Sequence, residues 1–511
     1  MSELLSGIQT ALDPSIFIFI FLGVLLGVVV GAIPGISATV GIAVFLPFTF
    51  ALDPLAGISL LLGIYNGACY SGAIPAILLR TPGTPASAAT VLDGYPMARQ
   101  GKAGQALTLS LVASVIGGLV STFLVVFFSP YIAAFALSLG PAEYFALAVM
   151  ALAIIASLGD GALAKGIISG TLGALIGTVG LDAISGYNRF TFNITGITGG
   201  IELIPLLVGL FGAAEALTQI EKMRRGGTFG KIGKFGLQKN MMRGSIGTLA
   251  GSTGIGFFIG LLPGIGGDVG GYVAYNETKR FSKKNSVPFG QGEPRGVLAA
   301  ESANNAAQVG GLVPTLTLGI PGNAAAAVLV GALLIHGIQP GPGLFSGNTQ
   351  LVYAIYSAMA IGFVLMLIVG AAGTRLWAQL LRVPPRILWP VVLVLSGIGA
   401  YAVRTNITDV LVMLVAAVLG YVMVKMRYPV APLLIGVIVG PLAEENFRLA
   451  VMQHTGSITW LFEPFPLVLL ALSLGMIVFA TVRSVKKKPV IQVAEVEEKP
   501  LVDTARSDHS S

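Results

Sequence analysis

The sequence predicts an all-α polytopic membrane protein: about 11 transmembrane helices plus two re-entrant hairpins, in two inverted-topology repeats with discontinuous helices. Three observations carry this. First, 54% of the 511 residues are apolar, mean hydropathy is +0.85 and only 10% are charged, against roughly 25% in an ordinary soluble domain. So few charges cannot cover a soluble surface of this size, and many apolar runs reach the ~20 residues that span a bilayer. Second, Gly31-Ala-Ile-Pro-Gly-Ile-Ser37 recurs as Gly260-Leu-Leu-Pro-Gly-Ile-Gly266. Third, Gly72-Ala-Ile-Pro-Ala-Ile-Leu-Leu-Arg-Thr-Pro-Gly-Thr-Pro-Ala86 recurs as Gly311-Leu-Val-Pro-Thr-Leu-Thr-Leu-Gly-Ile-Pro-Gly-Asn-Ala-Ala325. Glycine, two prolines, the Pro-Gly pair and an alanine keep their spacing; upstream, Asn66 aligns with Asn305 and Ala68 with Ala307. Each half therefore carries two helix breaks at membrane depth.

Composition narrows the class further. A β-barrel would show ~10-residue alternating segments, which this chain lacks. A single cysteine, Cys69, excludes an internal disulfide and a cysteine-rich metal site. The histidines His336, His454 and His509 are far apart, which argues against zinc chemistry. The net charge of +7 is concentrated in loops, as the positive-inside rule requires, and is not a nucleic-acid signal. No phosphate-binding loop, His-Glu-x-x-His motif or nucleophile elbow is present. The chain reads as a non-enzyme that needs no cofactor.

The elements follow from apolar runs and basic loops. Residues 1–220 read as a first membrane repeat, with a hairpin over 15–52 and a broken helix over 55–97. Full spans are the alternative for 15–52, because 15–33 is long enough to cross. Spans over 107–128, 142–158, 162–181 and 201–220 follow. Residues 221–243 carry seven basic residues and read as a cytoplasmic loop. Residues 244–483 read as the second repeat, with a hairpin over 247–278 tipped by Pro263-Gly264. Both flanks of that hairpin are basic, so both are placed on the cytoplasmic side. A broken helix over 297–335 comes next, then spans over 351–373, 387–403, 407–424, 429–452 and 464–482. Residues 484–511 read as a disordered cytoplasmic tail. Alternation makes the two broken helices run in opposite directions, the inverted-repeat pattern of secondary transporters.

Breaks inside lipid free backbone groups, which survive only within protein or beside a watery cavity. Half-helix N-termini then favour an anion, and freed carbonyls can coordinate a cation such as Na⁺. The candidate substrate- and ion-binding residues are Pro34, Gly35, Ser37, Asn66, Thr81, Gly83 and Thr84 in the first repeat. In the second they are Gly264, Gly266, Asn304, Asn305, Gly322 and Asn323. Thr39, Ser71, Asp268, Thr315 and Thr317 also lie near the breaks. Thr84 and Asn323 follow the two Pro-Gly pairs at equivalent positions. Against this stands the reading that Pro-Gly pairs merely kink packed helices and that each hydroxyl bonds back to its own helix. Arg80 is either a partner for a substrate carboxylate or a side chain snorkelling to the boundary. Glu301 is read as a charge favouring a helix N-terminus, with a place in a coupling relay as the alternative.

The signatures Gly31-Ala-Ile-Pro-Gly-Ile-Ser37, Tyr65-Asn-Gly-Ala-Cys-Tyr-Ser-Gly-Ala73, Arg80-Thr-Pro-Gly-Thr-Pro-Ala86, Asp93-Gly-Tyr-Pro-Met97, Leu261-Leu-Pro-Gly-Ile-Gly-Gly267 and Glu301-Ser-Ala-Asn-Asn-Ala306 resemble a known family. It is the large membrane subunit, the TctA family, of the bacterial tripartite tricarboxylate transporters, and the resemblance covers about residues 10–480. It implies a permease in the bacterial inner membrane, partnered by a small membrane subunit and a periplasmic solute-binding protein. It implies uptake of citrate or other organic carboxylates, driven by a gradient of a coupling cation, Na⁺ or H⁺. An elevator-like alternating-access motion is a further expectation, and a homo-oligomer is left open. The competing reading is an anion channel or a structural membrane scaffold. A channel wants a continuous polar lining, whereas polar residues here cluster at the breaks.

Overall fold

The structure, a computed structural model, describes residues 2–158, 163–182, 184–221, 235–236, 245–263, 266–282, 287–382 and 384–486. Most of the basic 221–243 loop, Gly264 at the second hairpin tip and residues 487–511 lie outside the described residues.

Proline at the first helical position, where its missing N–H costs nothing, starts many of the helices. After α1 (Ser2–Ala11), α2 (Pro14–Ala32) is capped by Asp13, whose carboxylate accepts from Ser15 N at 2.9 Å. Beyond a turn at Pro34-Gly35, Ser37 caps α3 (Ala38–Phe45), and a 3-10 stretch continues to Ala51. The chain re-enters as α4 (Pro54–Ser71), kinks into α5 (Ala73–Leu79), breaks, and resumes through a 3-10 turn (Pro85–Ala88) to α6 (Val91–Arg99). Then come α7 (Ala103–Leu137), α8 (Pro141–Leu158) and α9 (Leu163–Gly177), a small hairpin of β1 (Gly180–Leu181) and β2 (Asn188–Arg189), α10 (Leu203–Leu207), a π-helical stretch and α11 (Ala214–Glu221).

The second half repeats the order. It opens with α12 (Ser245–Gly260) and α13 (Gly266–Phe281), then α14 (Pro294–Gly310) kinks into α15 (Leu312–Leu318), breaks and resumes as α16 (Ala324–Ile335). A short α17 (Pro342–Gly347) leads to α18 (Thr349–Gln379), α19 (Pro385–Arg404), α20 (Ile407–Lys425), α21 (Val430–Gln453) and α22 (Pro464–Lys486). Among the described residues, eight helical segments are long and apolar enough to cross a membrane. The protein is thus an all-α polytopic membrane protein. The limbs of the two hairpins differ: α2, with 19 residues, is of spanning length, whereas α12 and α13 have 16 each.

Glycines weld each hairpin to its broken helix. A Cβ on Gly27 would overlap the carbonyl of Ile64, and one on Gly31 that of Ala68. In the second half, Gly256 lies in the same way against Ala303 O and Gly260 against Ala307 O. Without a hydrophobic driving force in lipid, such close backbone approach is what holds helices together. It leaves α4 enclosed from Ala56 onward, and nearly every residue of α14 is buried as well. That is why Tyr65, Asn66, Asn304, Asn305 and Gln308 tolerate membrane depth: none of them faces lipid.

The long helices cross between the repeats. From the first half, α7 packs along α14 and α12; from the second, α18 packs along α4 and α2. At the meeting of α7 and α18 the Phe363 ring lies flat against Gly118. Polar pairs tie the helix ends. At one end of the molecule Lys425 Nζ bonds Glu221 at 2.8 Å and Lys165 Nζ bonds Met426 O at 2.6 Å. At the other, Arg448 and Arg189 converge on Asp182 and Glu444. Two backbone N–H groups, of Ser185 and Ile184, hold the Asp182 carboxyl well below the usual carboxylate range, with Arg448 and Arg189 adding to this.

Candidate functional site

Both broken helices are built alike. Pro75 and Pro314 lack an N–H and would collide with the carbonyl a turn earlier, so each helix kinks, at Gly72 and at Gly311. After about two further turns the chain enters a left-handed cap, at Arg80 (φ 59°) and at Gly319 (φ 71°). The next N–H, of Thr81 or Ile320, reaches back to Pro75 O at 3.4 Å or Pro314 O at 3.3 Å. The Pro-Gly pair then folds onto the kink. Gly83 N donates to Gly72 O at 3.0 Å, whereas Gly322 N donates to Thr315 Oγ1 at 3.1 Å. Neither glycine has room for a side chain: a Cβ on Gly83 would meet Gly31 O at 2.6 Å, and one on Gly322 would meet Gly311 O at 2.5 Å.

The distal hairpin limbs then cross to the opposite repeat. Limb α3 packs on α16, and α13 packs on the 3-10 turn Pro85–Ala88. At this crossing Asn323 caps α16, accepting from Ala326 N at 2.8 Å. It also pairs with Tyr65 of the other repeat, whose hydroxyl lies 2.8 Å from Nδ2 and 3.1 Å from Oδ1. Gly266, at φ 56°, approaches Asn323 so closely that a Cβ would stand 2.9 Å from the Asn323 Cβ. Gly267 lies against Asn304 Oδ1 in the same manner. A second bridge between repeats runs from Gln308 Nε2 to Asn66 Oδ1 at 2.9 Å, while Asn66 Nδ2 donates to Met359 O at 3.1 Å.

Among the described residues, three buried polar atoms on one stretch of α14 have no protein partner: Asn304 Nδ2, Asn305 Oδ1 and Gln308 Oε1. Buried polar groups in folded proteins are satisfied, so these call for a ligand or water. Asn304 Nδ2 is a donor, suited to an anion; the two carbonyl oxygens suit a hard cation. Among the described residues no cluster of three His, Cys, Asp or Glu side chains forms a metal site. A cation here would take amide, hydroxyl and backbone oxygens.

The predicted residues divide accordingly. The structure gathers Gly266, Asn304, Gly322 and Asn323 about the second break and joins Asn66 to α14 through Gln308, whereas Asn305 bonds back to Glu301 O at 3.0 Å on its own helix. Thr84, 4% exposed, bonds Ser87 at 3.0 Å and packs over Gly72, beside Gly83. Ser37 spends its hydroxyl on the cap of α3, bonded by Val40 N at 3.3 Å, and Thr81 bonds Leu79 O at 3.4 Å at the surface. Pro34 and Gly35 form their turn under Gln219 of α11, 2.7 Å from where a Cβ on Gly35 would stand. Ser71, Thr315 and Thr317 bond carbonyls of their own or a neighbouring helix. Arg80 is exposed, its guanidinium 5.9 Å from the centre of the Tyr95 ring. Glu301 differs from its helix-terminus reading: α14 starts at Pro294, so Glu301 lies about two turns inside, fully enclosed.

Tyr65, Gln308 and Asp93 are not among the candidate binding residues, although Tyr65 and Asp93 each open one of the signature stretches. Tyr65 was legible, since the repeat alignment sets it opposite Asn304. Asp93 gave no repeat signal. Its carboxylate takes N–H groups from Gly290, Gly292 and Glu293 at 2.8–2.9 Å and the Tyr275 hydroxyl at 2.9 Å, locking α6 under the start of α14.

Membrane-buried helices broken in matched pairs make this a polytopic membrane protein, and the family it matches makes it a transport protein. Residues 17–435 match the Tripartite tricarboxylate transporter TctA family, and the chain belongs to that family. The chain is 39% identical over 491 residues to an uncharacterized 52.8 kDa protein in the TAR-I ttuC' 3' region of Agrobacterium vitis, covering 96% of this chain and 97% of that one. It is 37% identical over 234 residues to an uncharacterized protein in the TAR-II ttuC' 3' region of the same organism, covering 46% of this chain and 96% of the relative. No solved structure matches the chain.

Proposed function

We propose that the chain is the permease of an ion-gradient-driven, binding-protein-dependent importer of tricarboxylates or other organic carboxylates, working by alternating access. The observation that carries this reading is the matched pair of breaks, closed by Gly83 on Gly72 and Gly322 on Gly311, with Asn304 Nδ2, Asn305 Oδ1 and Gln308 Oε1, on the helix that leads into the second break, unpartnered among the described residues. A kink alone has no use for buried, unsatisfied amides. A carrier has: the donor suits the carboxylate and the acceptors suit a coupling cation. The tightly enclosed packing of α4 and α14 favours an occluded site over a continuous pore. In this reading a small membrane subunit and a periplasmic solute-binding protein complete the system. The membrane is the bacterial inner membrane, and the 221–243 loop and C-terminus face the cytoplasm.

Citrate transport in proteoliposomes holding this chain and its two partner subunits tests the reading. Accumulation should require all three proteins and an imposed cation gradient, and preloaded citrate should exchange without net conductance. Conductance without exchange, or high-affinity uptake by this polypeptide alone, would overturn it.

A further inference from the structure

Glu301 is 0% exposed, midway along α14, and both carboxyl oxygens are held by hydroxyls. Thr90 Oγ1 bonds Oε1, Ser114 Oγ of α7 bonds Oε2 at 3.1 Å, and Ser110, a turn earlier on α7, faces the same carboxyl. Among the described residues no ion pair includes it; the basic residue on its own helix, Arg295, is committed to Glu293 at 3.0 Å. The other helices packed on α14 bring no cation to it. α7, α12 and α15 contain no charged residue. From α4, Cys69 and Tyr70 lie within electrostatic reach, and Tyr65 is engaged with Asn323. α6 brings Asp93, itself bonded by Tyr275 of α13, and α13 also brings Asp268. The remaining cations of α6 and α13, Arg99, Lys279 and Arg280, are exposed.

The second observation is a row of hydroxyls that ends on this carboxyl. Thr84, Ser87 and Thr90 are spaced three apart through consecutive 3-10 turns, with Ser87 N on Thr84 O at 3.0 Å and Thr90 N on Ser87 O at 3.1 Å. That period stacks side chains on one face. All three are buried, and Thr84 Oγ1 and Ser87 Oγ are 3.0 Å apart. The row starts at the Pro-Gly break of the first repeat, next to exposed Thr81, and finishes on the broken helix of the second.

We propose that Glu301 is a proton-binding site of this carrier, a neutral acid between the repeats that exchanges one proton per cycle along Thr90, Ser87 and Thr84. An ionised carboxylate at membrane depth with no cation is strongly disfavoured, whereas the neutral acid is satisfied: one oxygen donates its proton to Thr90 and the other accepts from Ser114. On release the carboxyl O–H breaks, the proton passes to the Thr90 oxygen, and that hydroxyl gives up its own proton to a water on the side of Ser87, so each hydroxyl keeps one proton and the released proton leaves on that water along the face of Ser87 and Thr84. The inference rests on the carrier reading, and names H⁺ as an ion it binds.

Infrared difference spectroscopy of the full chain, purified with its membrane partner, tests this without a substrate. At neutral pH the wild type and Asp93→Asn should both show the carbonyl band of a protonated carboxylic acid that Glu301→Gln lacks, and an alkaline step should convert it reversibly into a carboxylate band. Should Glu301→Gln not assemble, Thr90→Val and Ser114→Ala keep the acid and should each shift its band. A neutral-pH spectrum with no such band, a band unchanged in these variants, or one that never titrates overturns the proposal. So does loss of the band on adding Na⁺ at constant pH. Citrate exchange by the wild type tests the carrier reading separately.

Discussion

Arg80 stands in a left-handed cap whose counterpart in the other repeat is Gly319. A non-glycine residue there costs roughly 1 kcal/mol, so its side chain is retained against the backbone's preference. Arg80→Gly should therefore leave thermal stability equal or higher, while weakening carboxylate transport at least tenfold; unchanged transport would assign the guanidinium to Tyr95 and the boundary. The repeat alignment made this position visible, but its strain only appears once φ is known. Asn323 was legible in the same way, its partner Tyr65 only as the neighbour of Asn66. Losing a hydrogen bond to a charged partner is worth roughly 1.5–3 kcal/mol, about ten- to a hundredfold in affinity. Thr84→Val, Tyr65→Phe and Asn323→Leu should each weaken transport by that order at wild-type expression. Asn323→Leu should also lose about 1 kcal/mol of stability, because it caps α16; Tyr65→Phe separates the two effects. Near-normal uptake in all three would move the site elsewhere.

At the scale of elements, the breaks were readable because proline and glycine are punctuation in any sequence. The way each break closes was not, since it depends on the chain folding back onto its own kink, at Gly72 and at Gly311, and for Gly83 also onto Gly31 of the hairpin. Gly83→Ala would drive a methyl into Gly31 O and Gly322→Ala one into Gly311 O, backbone atoms that cannot swing aside. Overpacking of this kind costs about 1–3 kcal/mol, so both variants should lower the melting temperature of the purified protein. Gly101→Ala makes a useful contrast: its φ is +76° but nothing lies within 4 Å, so only backbone strain remains. Loop ties respond to pH in opposite senses. Asp182 has a lowered pKa, so its tie of the β1–β2 hairpin to α21 is present above the ordinary carboxylate value and is lost as pH falls through the depressed one. His454 is raised, by Ala450 O first and then Glu463, so its link between α21 and α22 is full below the ordinary imidazole value and fades as pH rises through the raised one. Asp182→Asn should remove stability only on the neutral and alkaline side, and His454→Gln only on the acid side, in thermal melts across pH.

For the whole molecule, hydropathy and the doubled Pro-Gly pattern were enough to give an all-α membrane protein of related halves. They could not reveal the crossing of α7 and α18, because an apolar helix carries no mark of which neighbour it will meet. Nor did they show Asp93 clamping the start of α14, a contact made to backbone N–H groups that any sequence possesses. The crossing sets an order on synthesis. Asn66 finds its amide partners only at Gln308 and Met359, so the polar face of α4 enters the bilayer long before the ribosome has made the residues that satisfy it. Until then the first half is an unfinished object whose buried amides must be sheltered by the insertion machinery or by water. A truncated chain ending in the 221–243 loop should accordingly be cleared by membrane proteases, and supplying the second half as a separate polypeptide should rescue it.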